Sequence, residues 1–456
     1  MSAHDRGRPK TALFSAFNAC IISDRGSRKR SAHRSNITEF VMPVAFSSTR
    51  RVFLGTVAGA PGLLLAEQAN ARPAASGWAI PTGFEADLAV LKDAACVPGL
   101  CAVLLRRGKV AWVHATGVTK AGTSQMVDQD TIFEAASVSK AVFAYIALQL
   151  ADQGVLDLDK PLAGYLRPAY LPDDPAFAII TSRHVLTHTS GLPNWGEDAK
   201  PESLRLQFPP GTHVSYSGEG LFWLQLVAEH LTGEGLDALA RRLLFEPAGM
   251  KRSSFASYTE DSNVAWGHVG GRVAKGQGWR DLSDLVRRLS QEWGKPVQNW
   301  TQADWIRVGG TFDAKSPPPK RFRFSDAAFS LLTSTSDLAR FVRLLSPRPD
   351  RAAWEIKETM RAAMTAPVVA VRKGVPHWWG LGVEVENGTH GRRVGHEGNN
   401  GGRCATYCGT EPETGDALVI MTNDGAGFGV YQRMVRAITG RDQYSFIANE
   451  NPPLSG

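Results

Sequence analysis

Cysteine is scarce, with five residues in a chain of 456. Past the N-terminal segment the remaining four stand as Cys96 and Cys101, five residues apart, and Cys404 and Cys408, four apart, with no histidine close by. That spacing excludes a structural zinc site. No glycine-rich phosphate loop stands out, no 20- to 50-residue repeat recurs, and beyond residue 71 there is no low-complexity tract. No cofactor and no metal are therefore expected. An excess of charge of one sign is missing from the body of the chain too. The formal net charge is +7, but residues 1–71 carry ten Lys and Arg against four Asp and Glu, leaving 41 against 40 for the rest. A nearly neutral body has no basic stripe for a phosphate backbone, which excludes nucleic acid as the expected partner. What is present is ordinary for a globular protein with a sizeable core: 43% hydrophobic and 21% charged residues.

The basic excess precedes a short apolar run. Ser48-Thr49-Arg50-Arg51-Val52-Phe53-Leu54 leads through apolar residues to Ala66, then to Ala69-Asn70-Ala71. Basic region, apolar stretch and small-residue site, in that order, read as an export signal cleaved after Ala71. The run is shorter than the about 20 apolar residues of a membrane span, so no stable span is expected in the mature chain. The paired arginines resemble a twin-arginine address, read by a receptor that passes folded proteins. Residues 42–71 make a signal of normal length, and residues 1–41 are expected to be an upstream over-extension. The mature protein is then residues 72–456, periplasmic or secreted, in a compartment that permits disulfides. Cys96 and Cys101 flank a Pro98-Gly99 turn and either close a small loop or remain thiols. If residues 402–408 form one strand, Cys404 and Cys408 lie roughly 13 Å apart and cannot bond to each other.

Residues 83–95 look helical, and Leu100–Arg106 with Val110–Ala115 read as a hairpin turning at Gly108. A helix from Ser137 to about Gly154 repeats Val138, Val142, Ile146 and Leu150 along one face. Others are expected at Glu219–Thr232, stopped by Gly233, and at Ser336–Leu345 with a Ser336-Asp337 start. Short strands then follow at Arg393–Gly395, Gly402–Gly409 and Ala417–Asn423, before a closing helix at Phe428–Ile438. Strands at both ends around a helical middle predict an α+β layout in which the terminal strands share one sheet. The Trp-containing and Pro-rich stretch from about 270 to 323 reads as a long surface excursion.

Ser137-Val138-Ser139-Lys140 is a Ser-x-x-Lys sequence. At i and i+3 on a helix the two side chains share a face, so the amine reaches the hydroxyl and eases removal of its proton. The helix N-terminus also points free N–H groups at the place where an oxyanion forms. Taken alone, those four residues fit an N-cap serine and a solvated surface lysine better than a catalytic pair. Two further segments favour chemistry. Phe208-Pro209-Pro210-Gly211 leads to Tyr216-Ser217-Gly218-Glu219-Gly220, and Val394-Gly395-His396-Glu397-Gly398-Asn399 lies on a strand beside a glycine-rich turn.

With Thr187-His188-Thr189-Ser190-Gly191-Leu192 and Thr335-Ser336-Asp337-Leu338-Ala339, these segments resemble, in order and spacing, the penicillin-recognising serine hydrolases: serine β-lactamases, D-Ala-D-Ala peptidases and class C-like esterases. The likeness spans roughly residues 84–440. It implies a five-stranded antiparallel sheet packed on helices, a mostly helical half, and an active site between them. It implies Ser137 as nucleophile, Lys140 as its activator, and Tyr216 as the partner that accepts the Ser137 proton or activates the deacylating water. The backbone N–H groups of Ser137 and Asn399 form the implied oxyanion hole. His396-Glu397-Gly398 fits the Lys-Thr-Gly motif, with His396 and Gly398 in substrate binding. A phenol of pKa ~10 needs positive charge beside it to act as a base, which Lys140 and His396 are expected to supply.

Gly218 departs from the pattern, standing where a Tyr-x-Asn motif carries its amide. A side chain that contacts the lysine and holds a substrate amide is thus absent, and a water or a backbone carbonyl is expected at Lys140 instead. His184 and His188 read as structural loop residues. Trp279, Trp293, Trp300 and Trp305 read as packing under a loop or as an acyl-binding wall, and Trp195 as a border of the cleft. The functional expectation is an exported hydrolase that forms an acyl-enzyme on a small-molecule or peptide ester, amide or β-lactam, with esters preferred. The alternatives are a β-lactamase or D-Ala-D-Ala carboxypeptidase, and a catalytically weak penicillin-binding receptor or scaffold.

Overall fold

The computed structural model describes residues 77–196, 203–256, 258–311, 322–388 and 391–446. The expected signal and its cleavage site lie outside the described residues. Twelve strands are described: β1 (Gly99–Arg106), β2 (Lys109–Gly117), β3 (Ile132–Glu134), β4 (His268–Val269), β5 (Arg272–Val273), β6 (Leu332–Ser334), β7 (Val369–Ala370), β8 (His377–Trp379), β9 (Glu384–Gly388), β10 (Gly391–Gly398), β11 (Ala405–Glu411) and β12 (Asp416–Thr422). Eight of them form one antiparallel sheet in the order β2-β1-β12-β11-β10-β9-β8-β7. The principal helices are α1 (Phe84–Ala94), α2 (Val138–Asp152), α3 (Gly218–Thr232), α4 (Trp279–Trp293), α5 (Gln302–Gly310), α6 (Thr335–Arg343) and α7 (Gly427–Thr439).

The first and last strands lie side by side, Leu100 opposite Thr422 and Leu104 opposite Leu418, so both ends of the described chain build one sheet. The β1–β2 hairpin turns through Arg107 at φ 52° and Gly108 at φ 72°. Two positive φ values in a two-residue loop match the twist of the strands they join. The centre of the sheet is buried on both faces, which is why β1 and β12 read as nearly continuous apolar runs. Leu100, Ala102, Leu104, Leu418 and Ile420 pack against Val430, Tyr431 and Met434 of α7 and Leu88 of α1. Cys101, Val103, Leu105, Val419 and Met421 face the opposite core around α2. The period-2 alternation of a strand sorts these side chains to the two faces.

The structure corrects several expectations. The sheet has eight strands, not five; the additional β7, β8 and β9 are two to five residues long, too short to show an alternation of their own. Every residue of α2 from Val138 to Leu150 is buried, so it is a central helix covered all round rather than one with a single apolar face. The start of α6 is capped by Ser334, whose Oγ accepts from the Asp337 N–H at 3.2 Å, not by Ser336. The 270–323 stretch is a folded helical layer, not a surface excursion, apart from residues 312–321, which lie outside the described ones. In α4, Trp279, Leu282, Val286 and Leu289 make a helical stripe that joins Trp300, Trp305, Phe322 and Phe324 in a core of their own. Trp279, Trp300 and Trp305 are buried there, which is packing and not an acyl-binding wall. All four described cysteines are free thiols, so Cys96 and Cys101 do not close a loop.

Candidate active site

The short β3–β6 ladder sets the turn that carries Ser137. Beyond it Ala135 donates its N–H to Leu331 O at 2.9 Å, and Ala136 takes the left-handed conformation at φ 48°. For alanine that conformation costs of order 1–3 kcal/mol and persists only when neighbours enforce it. Ser137 follows in right-handed geometry just ahead of α2, and its side chain makes no capping hydrogen bond. Its Oγ instead accepts from Lys140 Nζ at 3.1 Å, and Tyr216 stands close enough to interact with it. Ser139, one turn position away, is occupied structurally: its hydroxyl donates to Ala136 O and accepts from the Leu331 N–H at 3.0 Å.

Lys140 is fully buried, and its Nζ also donates to Ala328 O at 2.8 Å. A backbone carbonyl thus stands beside the amine, one of the two substitutes expected for the missing amide. Burial pushes the Lys140 ammonium down to about 7, against the opposing pull of Asp326. Asp326 is buried as well, raised to about 6, and its Oδ1 holds the Ala328 N–H at 2.7 Å. A lysine at about 7 is partly neutral near neutral pH, a form chemically able to accept a proton from the hydroxyl it touches.

Tyr216 enters from the start of α3, one residue before the cap Ser217. Its ring lies 4.5 Å from Lys140 Nζ and 4.6 Å from the His188 ring. Burial raises the phenol pKa well above its usual value. His188, buried and left-handed at φ 55°, accepts the Ser217 N–H on Nδ1 at 3.1 Å, so it anchors the Tyr216 segment as a loop residue should. His184, farther off, completes a capping box with Thr181. On β10, His396 sits 6.1 Å from the Tyr216 ring and donates Nδ1–H to Glu397 O at 2.6 Å. Burial, helped by Lys140 and opposed by Glu384, pushes His396 down to about 4. His396 is therefore uncharged at neutral pH. The expectation that it adds positive charge beside the phenol does not hold, because a buried imidazole next to a lysine sheds its proton first.

The edge of β10 closes the site. Its pairing with β9 ends at Gly395 opposite Glu384, leaving His396 to Asn399 beyond the ladder. A Cβ added to Gly398 meets Ala135 O and lies 2.9 Å from Ser137 N, so only glycine lets the strand come this close to the Ser137 turn. Among the described residues neither the Ser137 N–H nor the Asn399 N–H donates to a protein acceptor. The Asn399 side chain accepts the Gly402 N–H at 2.7 Å, and Asn400 Nδ2 donates to Glu134 Oε2 at 2.8 Å. Those bonds hold the following turn against β3.

The chain matches the family described as Beta-lactamase over residues 84–441. It belongs to the Beta-lactamase family. Among curated relatives, Esterase EstB of Burkholderia gladioli is 32% identical over 187 residues, covering 35% of this chain and 47% of that protein. Penicillin-binding protein 4 of Amycolatopsis lactamdurans is 23% identical over 347 residues, covering 72% of this chain and 81% of that one. Of solved structures, the D-alanine carboxypeptidase AmpC of Burkholderia cenocepacia superimposes with a TM-score of 0.57 at 18% identity, over 78% of this chain and 99% of that chain. The octameric penicillin-binding protein homologue of Pyrococcus abyssi gives 0.58 at 18% identity, over 80% of each. At such identities the structural likeness speaks to fold alone. Proteins of the Beta-lactamase family are generally serine hydrolases, and the relatives are esterases and penicillin-binding proteins.

Within this Beta-lactamase-family site, Gly218 does not leave a vacant corner. A Cβ there collides with the Trp195 indole, 2.6 Å from Cζ2 and 2.5 Å from Cζ3. The indole fills the place of the absent side chain, with Lys140 Nζ 5.8 Å from its ring. Sequence reasoning missed three contributors. Trp379 stacks edge-on to His188 at 4.4 Å and flanks both Tyr216 and His396. Asp326 and Ala328 position Lys140 from a turn that carries no motif. The doubled Trp378-Trp379 was the available signal for the first; the other two had none. Among the described residues no group of His, Cys, Asp or Glu could hold a metal ion, and no helix is long and apolar enough to cross a membrane.

Proposed function

We propose that this protein is an exported serine hydrolase that forms an acyl-enzyme at Ser137 and prefers esters. The observation that carries this reading is a buried lysine, brought down to about 7, in direct hydrogen-bond contact with the Ser137 hydroxyl. Ser137 Oγ attacks the ester carbonyl carbon while its proton passes to neutral Lys140 Nζ. The developing oxyanion lies between the Ser137 and Asn399 N–H groups at the positive end of α2. As the C–O bond breaks, the leaving alkoxide takes a proton from the Tyr216 hydroxyl, which is refilled from the Lys140 ammonium. Water then attacks the acyl-enzyme by the reverse path, returning the proton to Ser137. A raised phenol pKa suits Tyr216 to donating and relaying a proton rather than abstracting one first. Trp195, His396 and Gly398 line the substrate side, with Gly218 behind the Trp195 indole.

Ester preference rests on Gly218 and on the likeness to an esterase. A β-lactam carries an acylamino group that needs a partner in the cleft, and a lost buried hydrogen bond costs about 1–3 kcal/mol, roughly ten- to a hundred-fold in rate. The test is kcat/KM for p-nitrophenyl butyrate against a chromogenic cephalosporin. Faster ester turnover supports the proposal; an equal or faster cephalosporin rate makes β-lactamase the better description. The longer match to a penicillin-binding protein favours a second reading, D-Ala-D-Ala peptidase or a slowly deacylating penicillin receptor. A penicillin label followed over time separates these, because a receptor stays labelled while an enzyme turns the group over.

A further inference from the structure

Resting on the hydrolase reading above, we propose that Trp195 sets the substrate class: its indole closes the side of the cleft at Gly218, admitting esters of unbranched acyl chains and excluding those with an acylamino group beside the scissile carbonyl. The space that a side chain at position 218 needs is filled by ring carbons, which offer an acylamino group neither a donor nor an acceptor. The indole is also fixed on several sides. Phe329 meets it edge-on at 5.6 Å, and the Arg323 guanidinium lies 4.5 Å from its ring. Arg323 is held by Glu219 at 3.2 Å in an ion pair whose side chains are each 1% exposed.

The loop bearing Trp195 is tied to the first turn of α3 on either side of the indole. Asn194 O accepts the Gly218 and Glu219 N–H groups at 3.0 and 3.1 Å, and Glu219 Oε1 accepts the Gly196 N–H at 2.7 Å. Residues 194 to 196 and 218 to 219 thus form one unit, which fixes the backbone from which the indole projects. Charge points the same way. Arg323 is engaged with Glu219, and His396 is buried with its Nδ1–H on the Glu397 carbonyl and its pKa pushed down by burial, so neither presents a free cation to a substrate carboxylate. An uncharged ester with a flat or straight acyl chain fits such a wall by stacking and apolar contact.

Two esters with the same leaving group and no carbon branch beside the carbonyl isolate the effect: p-nitrophenyl butyrate and the p-nitrophenyl ester of N-acetylglycine. Wild type is expected to favour the butyrate by about tenfold or more. Trp195→Ala should shrink that preference by about tenfold. Gly218→Asn alone should lose turnover of both esters through collision with the indole, and Gly218→Asn in the Trp195→Ala background should regain it with the preference shifted further toward the acylamino ester. Trp195→Leu, which keeps an apolar side chain, gives a second reading of the ratio should the alanine variant misfold. Ser137-dependent butyrate turnover in wild type with a ratio unmoved by both Trp195 variants overturns this proposal and leaves the hydrolase reading standing. Absence of turnover of either ester by wild type overturns both.

Discussion

At Lys140 the decisive quantity is how much of the amine is neutral. Full burial strips the ammonium of water, Asp326 restores part of the charge, and the balance leaves the group at about 7. In the proposed mechanism the neutral form takes the Ser137 proton, and its population rises as pH climbs through that value. The kcat/KM profile for p-nitrophenyl butyrate is therefore expected to have an ascending limb centred near 7 and a plateau above it. His396, at about 4, is deprotonated throughout this window and adds no limb of its own. Asp326→Asn removes the opposing charge, so the limb should move to lower pH; a limb unmoved by that change argues against Lys140 as the titrating base. Ser137, Lys140 and Tyr216 were legible because each lies in a short motif whose spacing is set by one helix or one turn. Asp326, Ala328 and Trp379 were not, since only tertiary packing brings them to Lys140, His188 and Tyr216.

Among elements, the approach of β10 to the start of α2 matters most for the site. Gly398 is the contact point, where an added methyl meets Ala135 O and the Ser137 N–H. Gly398→Ala should force the strand outward, opening the space between the Ser137 and Asn399 N–H groups. The expected outcome is a loss of kcat/KM of at least about a hundredfold, in line with removal of an oxyanion donor. Overpacking should cost roughly 1–3 kcal/mol of stability, read by thermal unfolding. A variant with wild-type turnover would remove β10 from the oxyanion site. Longer elements were legible, α2, α3 and the β1–β2 hairpin within a few residues, because their periodicity and glycine stops are local. β7 and β8, two and three residues long, exist only through pairing, β8 with β9 and β7 with β8, and carry no period to read. In α4 the four buried residues Trp279, Leu282, Val286 and Leu289 keep a helical spacing of three, four and three, so this helix was open to the same periodicity argument.

For the whole molecule, the joining of both ends of the described chain in one sheet explains why a likeness carried by scattered motifs extends from residue 84 to residue 441. The sheet, α2 and the 326–331 turn meet only when the entire domain is folded, whereas the expected export route rests on the paired arginines Arg50 and Arg51 alone. Arg50→Lys with Arg51→Lys is accordingly expected to hold the protein in the cytoplasm, as judged by cell fractionation. Undiminished delivery would assign the general secretory route instead. The central claim concerns Ser137 itself. The most direct measurement is peptide-mapped mass spectrometry after fluorophosphonate treatment, with p-nitrophenyl butyrate turnover assayed on the same wild-type and Ser137→Ala preparations. The hydroxyl caps no helix end, so the alanine protein should fold with less than about 1 kcal/mol lost. The account predicts an adduct on the Ser137 peptide of wild type, with both adduct and turnover gone in Ser137→Ala. An adduct on another residue, or a folded Ser137→Ala protein that still turns over the ester, would contradict it.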